Sequence, residues 1–256
     1  DYIDPELEDE IEEATGYDVV IDYFDTNEEL NPVIKNNTGK YDVICASDYM
    51  ISKLVGEGLL AEIDYSNVPN SAYISENVKP FMEEFDPGMK HSVPHTWGTY
   101  GIMYSKEMVN SADIDSWEDL WDEKYAAQIV MPDSMREMYM IAGKVLGYSM
   151  NTTSEKEVKE MTDLLLKQKP LVYKLANDSA RDLMIGESAA LAVVNSGEVL
   201  YSQELNENME YVIPKEGTEV WTDCWAVTAN AANKAGGEAW INFMLEEDSA
   251  EDNFEY

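Results

Sequence analysis

The sequence predicts an α/β protein of two lobes, each a mixed, mostly parallel sheet flanked by helices and joined by two crossing strands. Three observations lead there. Short β-branched and aromatic runs alternate with amphipathic helical segments, the pattern of a mostly parallel sheet with helices on both faces. Two extended, glycine-bearing stretches near 94–101 and 215–224 cut the chain into three blocks. Polar residues come directly after several strands, and ligands in open α/β sheets collect at such strand ends. The first and third blocks, 1–99 and 220–256, are expected to form one lobe, and 100–219 the other. Two connecting strands make a natural hinge.

At the start of the chain, residues 5–15 space Leu7, Ile11 and Ala14 at helical intervals, with Asp4 as N-cap, Pro5 at the first helical position and Gly16 as the stop. Residues 17–24, Tyr-Asp-Val-Val-Ile-Asp-Tyr-Phe, predict a strand. A short helix is expected over 27–34, a buried strand over 41–46, and a helix over 50–57 before Gly58. Residues 92–105 lack a helical period and read as the first crossing strand. Ser116 caps a small helix over 117–121, and 129–131 is a strand. A helix opened by Asp133-Ser134-Met135-Arg136-Glu137 is expected to run to about Leu146, with Asp133 as its cap. Helices over 154–167, 178–185 and 198–204 alternate with strands over 173–175 and 189–194, and 211–214 is extended. The second crossing covers 217–228, and a last amphipathic helix covers 234–245. No internal repeat or low-complexity tract is present.

Charge limits the partners. Asp and Glu number 52 against 17 Lys and Arg, for a formal net charge of −35, so nucleic acid phosphates and anionic lipid are repelled and cations favoured. Most of these carboxylates read as a solvated surface. A hydrophobic content of 45% is enough for a sizeable core. No apolar run approaches the roughly 18 residues of a membrane span. The opening Asp1-Tyr2-Ile3-Asp4-Pro5-Glu6 carries no leader pattern and reads as mature or trimmed chain. Cys45 and Cys224 border apolar runs and read as buried, unreactive thiols, with any pairing between them left open. Neither they nor His91 and His95, in a Pro-containing stretch, have metal-ligand spacing, and no nucleophile elbow is seen. No metal and no cofactor is expected.

Several stretches in combination resemble the spermidine/putrescine-binding proteins of bacterial ABC importers, within the two-lobed (type II) extracytoplasmic binding proteins. They are Asn27-Glu28-Glu29, residues 41–50 (Tyr-Asp-Val-Ile-Cys-Ala-Ser-Asp-Tyr-Met), Val93-Pro94 with Trp97-Gly98-Thr99, and Ser116-Trp117-Glu118-Asp119-Leu120-Trp121. Further on come Asp133-Ser134-Met135-Arg136-Glu137, Leu146-Gly147-Tyr148-Ser149 with Asn151-Thr152, residues 212–217 and residues 239–245.

The resemblance implies a receptor without catalysis that closes on a polyamine, putrescine or spermidine, in an interlobe cleft and delivers it to a membrane permease. It implies a periplasmic or extracellular location, with lipid anchoring as one form of tethering, and a monomer. The ligand residues it implies are Tyr2, Ser47 and Tyr49 on the first lobe, Ser134, Glu137 and Asn195 on the second, and Trp221 and Asp223 at the second crossing. Such a Trp stacks on the methylene chain and such an Asp holds an ammonium. The chemistry fits: aromatic faces supply contact area and cation–π attraction of about 0.5–2 kcal/mol each, and a desolvated carboxylate gives a directional anchor. Trp97 reads as a hinge or cleft-floor residue, Trp117 and Trp121 as core. A carboxylate in the first turn of a helix, as at Glu137, is also favoured by the helix dipole.

The chain departs from the family pattern in three places. Ser134 stands where a second acid is usual, Asn195 where an aromatic is common, and both ends look short. The first two keep open a receptor for another cationic amine, quaternary or aromatic. A sensor module on the same fold is a further alternative. An enzyme reading would make a glycosidase pair of Glu137 with Asp133 or Asp223; it is the weakest, because the surrounding motifs match a binding protein.

Overall fold

The computed structural model describes residues 3–36 and 39–255. The chain divides into two compact units, Asp1–Trp97 with Trp221–Tyr256, and Gly98–Val220. No helix among the described residues is long and apolar enough to cross a membrane.

In unit 1, α1 (Glu6–Thr15) buries Leu7 and Ile11 and stops at Gly16, whose φ of 74° lets its N–H reach the Glu12 carbonyl. Asp4 accepts from the Glu6 N–H at 2.9 Å, although Pro5 is the capping residue by backbone geometry. After α2 (Asn27–Asn36), β1 (Val43–Ser47) runs straight into α3 (Asp48–Gly56), and α4 (Lys79–Phe85) comes next. β7 (Val220–Val227) is antiparallel to β1, with Val43 opposite Val227 and Ser47 opposite Asp223. The helices α9 (Lys234–Phe243) and α10 (Glu247–Glu255) end the chain.

The two faces of the β1–β7 ladder feed two cores, as a side-chain period of two requires. Ile44, Ala46, Cys224 and Ala226 pack with Leu30, Met50, Ile51, Leu54 and Met82. Trp225 and Val227, with Val43 and Cys45, pack toward Leu7, Ile11, Trp240 and Ile241. The register therefore puts Cys45 and Cys224 on opposite faces, where no disulfide can join them. Burial pushes the Cys224 thiol well above its ordinary range.

The strand expected over 17–24 does not form. Its pattern alternates as a strand's would, with Val19 and Ile21 against the core and Val20 85% exposed. A strand also needs a neighbour to complete its hydrogen bonds, and none pairs with this segment among the described residues.

In unit 2, β2 (Ser92–Ser105), which begins in unit 1, pairs antiparallel with β5 (Leu191–Asn195) and β6 (Met209–Val212). Beyond β5 lie β3 (Ile129–Met131) and β4 (Val172–Leu175), parallel to one another, with β3 also parallel to β5. The parallel strands are those joined through helices: α5 (Met135–Leu146) and α6 (Glu155–Gln168) connect β3 to β4, and α7 (Ser179–Ile185) connects β4 to β5. The antiparallel pairs involve β2, so the sheet is mixed. α8 (Ser196–Leu205) leaves the end of β5.

Ile102, Ile129, Met131, Leu191 and Val193 face one core with Trp117, Leu120 and Ile141. Met103, Val130, Ala192 and Val194 face the other with Ala180, Met184 and Met209. Burial on both faces explains why these strands read as continuous apolar runs. Ser116 closes a capping box on the 3₁₀ turn Trp117–Trp121, with Asp119 reaching back to the Ser116 N–H.

Candidate functional site

Each unit presents its own group of candidate side chains. In unit 1 the group is built on the ends of β1 and β7. Ser47, the last residue of β1, donates its hydroxyl to Asp223 Oδ1 at 2.6 Å from directly across the ladder. Asn27, at the start of α2, closes on the same serine from the other side. Its Nδ2 donates to Ser47 Oγ at 3.0 Å, and its Oδ1 accepts the Ser47 N–H at 3.3 Å. The chain Asn27–Ser47–Asp223 fixes the aspartate's orientation.

Trp221 shares a strand face with Asp223, two residues away. The indole Nε1 is buried and has no hydrogen-bond partner. Tyr49, in the first turn of α3, donates its hydroxyl to Glu28 at 3.0 Å and leans on the core below. An indole, a phenol ring and an oriented carboxylate together suit a cation with an apolar body. Tyr2 lies outside the described residues.

In unit 2 the group stands at the ends of two neighbouring parallel strands. Ile129 is opposite Leu191 and Val130 opposite Ala192, so the segments that leave β3 and β5 emerge at the same end of the sheet. After β3 comes Ser134, the N-cap of α5, and then Glu137 at the helix's third position. β5 ends at Asn195, which pairs with Tyr100 of β2 and is the N-cap of α8. Neither cap residue uses its side chain to cap. Asp133 does not cap α5 as expected; it is exposed, and its N–H donates to Asn177 Oδ1 at 3.0 Å.

Glu137 Oε2 and Asn195 Oδ1 are both buried without a hydrogen-bond partner. A buried acceptor left unpaired costs about 1–3 kcal/mol, more for a charged group. Each is an acceptor that a hydrogen-bond donor could meet, and the segments that carry them leave the sheet at the same end.

Next to these, the β2 crossing is pinned. Tyr211 donates its hydroxyl to the Thr99 carbonyl at 3.1 Å, and the ring crosses β2 over Gly101, where a Cβ would stand 2.3 Å from Tyr211 Cζ. Burial raises the Tyr211 hydroxyl's pKa. Trp117 is fully buried, and Trp121 donates its Nε1 to the Leu164 carbonyl at 3.1 Å. Trp97, within β2 and the last residue of unit 1 in that strand, is 59% exposed.

Sequence reasoning missed three polar residues. Asn27 and Glu28 lie in a stretch that resembled the family, but nothing local ties them to Ser47 and Tyr49. Glu219 is 7% exposed, two residues before Trp221, and its sequence neighbours Thr218 and Val220 give no sign of burial.

The bacterial extracellular solute-binding protein family matches residues 6–256. The spermidine/putrescine-binding periplasmic protein of Salmonella typhimurium is 32% identical over 255 residues, covering 98% of this chain and 72% of the relative. The putrescine-binding periplasmic protein SpuD of Pseudomonas aeruginosa is 30% identical over 262 residues, covering 96% and 71%. Among solved structures, the spermidine/putrescine ABC transporter substrate-binding protein PotD of Streptococcus pneumoniae aligns with a TM-score of 0.80 at 36% identity, over 100% of this chain and 79% of that one. The PotD lipoprotein of Treponema pallidum aligns with a TM-score of 0.89 at 26% identity, over 98% and 80%.

Proposed function

The chain belongs to the bacterial extracellular solute-binding proteins, within their spermidine/putrescine-binding group, and on that premise we propose that it is the extracytoplasmic polyamine receptor of an ABC importer. It captures putrescine or spermidine and presents it to a membrane permease. Its role is binding and release; it acts as a monomer and makes or breaks no covalent bond.

The observation that carries this reading is the buried, unpartnered carboxylate oxygen of Glu137. A buried acceptor oxygen without a donor is costly, and an ammonium group brings both a donor and a counter-charge. Unit 2 offers Glu137, with Ser134 and Asn195 beside it. Unit 1 offers Asp223, oriented by Ser47, for another ammonium, and the rings of Trp221 and Tyr49 for the methylene chain. A net charge of −35 raises the local concentration of cationic ligands, most strongly at low salt. Closure would result from tighter binding in the closed state.

A thermal-shift panel of diamines, triamines, quaternary amines and aromatic amines tests the proposal. The largest rise is expected with putrescine or spermidine. A larger rise with a quaternary or aromatic amine would replace polyamines with that class, and none with any amine would remove the receptor reading.

A further inference from the structure

The two unpartnered acceptors of unit 2 carry an inference about selectivity, which rests on the polyamine reading above. We propose that Asn195 Oδ1 and Glu137 Oε2 act together on one ammonium group, and that Asn195 is the residue that selects amines bearing N–H over fully methylated ones.

Asn195 ends β5 and Glu137 comes six residues after β3; the two strands are parallel and adjacent, so both residues stand at the same end of the sheet. Both acceptor atoms are buried, and neither has a partner. Each had a local way out that it does not take. An Asn at an N-cap commonly accepts a backbone N–H of the first helical turn, yet Asn195 makes no such bond. A Glu at the third position can reach back to the N-cap N–H, yet one Glu137 oxygen stays unused.

The two oxygens differ in chemistry. A carboxylate attracts any cation, methylated or not, because the attraction is mainly Coulombic. An amide oxygen carries no net charge and gains mainly from an N–H pointed at it. A primary ammonium satisfies both oxygens at once. A trimethylammonium satisfies neither by hydrogen bonding, and it leaves the amide oxygen buried and unpaired. Sites built around a buried polar group reject analogues that cannot pair with it. Asn195 also removes a ring from the position, which lowers the attraction for quaternary ammonium groups that favour aromatic faces.

The test is calorimetric titration with putrescine and with its bis(trimethylammonium) analogue, which keeps two charges on the same four-carbon chain. Wild type is expected to bind putrescine about 100-fold more tightly. Asn195→Leu is expected to weaken putrescine about tenfold and leave the analogue within about threefold. Asn195→Asp, by adding a charge beside the ammonium, is expected to tighten putrescine. Glu204→Gln, on the exposed part of α8, controls for the overall field and is expected to change neither. Equal binding of the two ligands by wild type, or equal losses for both in Asn195→Leu, would overturn the role of Asn195 while leaving the polyamine reading in place. Binding of neither ligand by wild type would overturn that reading first. If Asn195→Leu does not fold, Asn195→Ala takes its place, with the same expected losses and the same overturning outcome.

Discussion

Ser47 and Asp223 face each other across the β1–β7 ladder, and the serine hydroxyl donates to the aspartate at 2.6 Å. A hydrogen bond to one carboxylate oxygen fixes the plane of the group before any ligand arrives. Preorganisation of this kind lowers the cost of binding.

Removing the charge is therefore expected to do more harm than removing the serine. Asp223→Asn should weaken polyamine binding about 10- to 150-fold, the range for a hydrogen bond to a charged group. Ser47→Ala should weaken it by less than about tenfold, because the carboxylate remains and only its orientation loosens. Calorimetric titration of the two variants checks this ordering; the reverse order would remove Asp223 as the ammonium anchor.

Glu137 should trade stability for binding. Its buried, unpaired oxygen is a cost in the ligand-free protein. Glu137→Gln is expected to leave ligand-free stability unchanged or raise it by about 1 kcal/mol, while weakening putrescine at least tenfold. Denaturant titrations with and without putrescine measure both effects. A ligand-free loss above about 1 kcal/mol would make Glu137 a structural residue.

Gly101 is held to glycine by a ring. An added Cβ would meet Tyr211 at 2.3 Å, so Gly101→Ala should displace Tyr211, break its bond to the Thr99 carbonyl and destabilise the protein by about 1–3 kcal/mol. Tyr211→Phe, which keeps the ring and loses the hydroxyl, should cost about 1 kcal/mol. Urea unfolding of both variants checks the order.

His95 should make stability depend on acid. Its ring lies 4.9 Å from that of Trp225, and burial pulls the imidazole pKa down to about 4 from an ordinary 6.5. Above pH 6.5 the folded and unfolded forms are both neutral at this residue. Between pH 6.5 and 4 the unfolded chain takes up a proton that the folded one refuses, so stability falls as pH falls. The loss levels off below pH 4. With allowance for the residue's partial exposure, it amounts to about 2 kcal/mol. His95→Gln should lack this component, so the stability gap between the two proteins should shift by that amount between pH 7.5 and 4. A constant gap across this range would contradict the assignment.

Much of the fold could be read from local chemistry. Ser116 announced the capped turn, and the apolar runs at 129–131 and 189–194 announced strands, which the structure buries on both faces. Residues 17–24 misled because a period of two describes an extended chain whether or not a neighbour pairs with it. The cap of α5 slipped by one residue because Asp133 and Ser134 are both residue types that cap helices, and the Asp133 N–H is instead held by Asn177, 44 positions away. The helix α10, with sequence Glu-Asp-Ser-Ala-Glu-Asp-Asn-Phe-Glu, escaped notice because its acidity hides its period. Of the candidate site, Ser47, Glu137, Asn195 and Asp223 were named through the family resemblance. The two unpaired oxygens were not, since an unmet hydrogen bond belongs to the packed structure.

The most direct test of the receptor reading is calorimetric titration of the protein with putrescine and spermidine at two salt concentrations. The account predicts saturable, one-to-one binding of at least one of them, weaker at the higher salt and lost or greatly reduced when Asp223 and Glu137 are both made amides. Absence of heat with either amine, or binding that the double variant leaves intact, would contradict it.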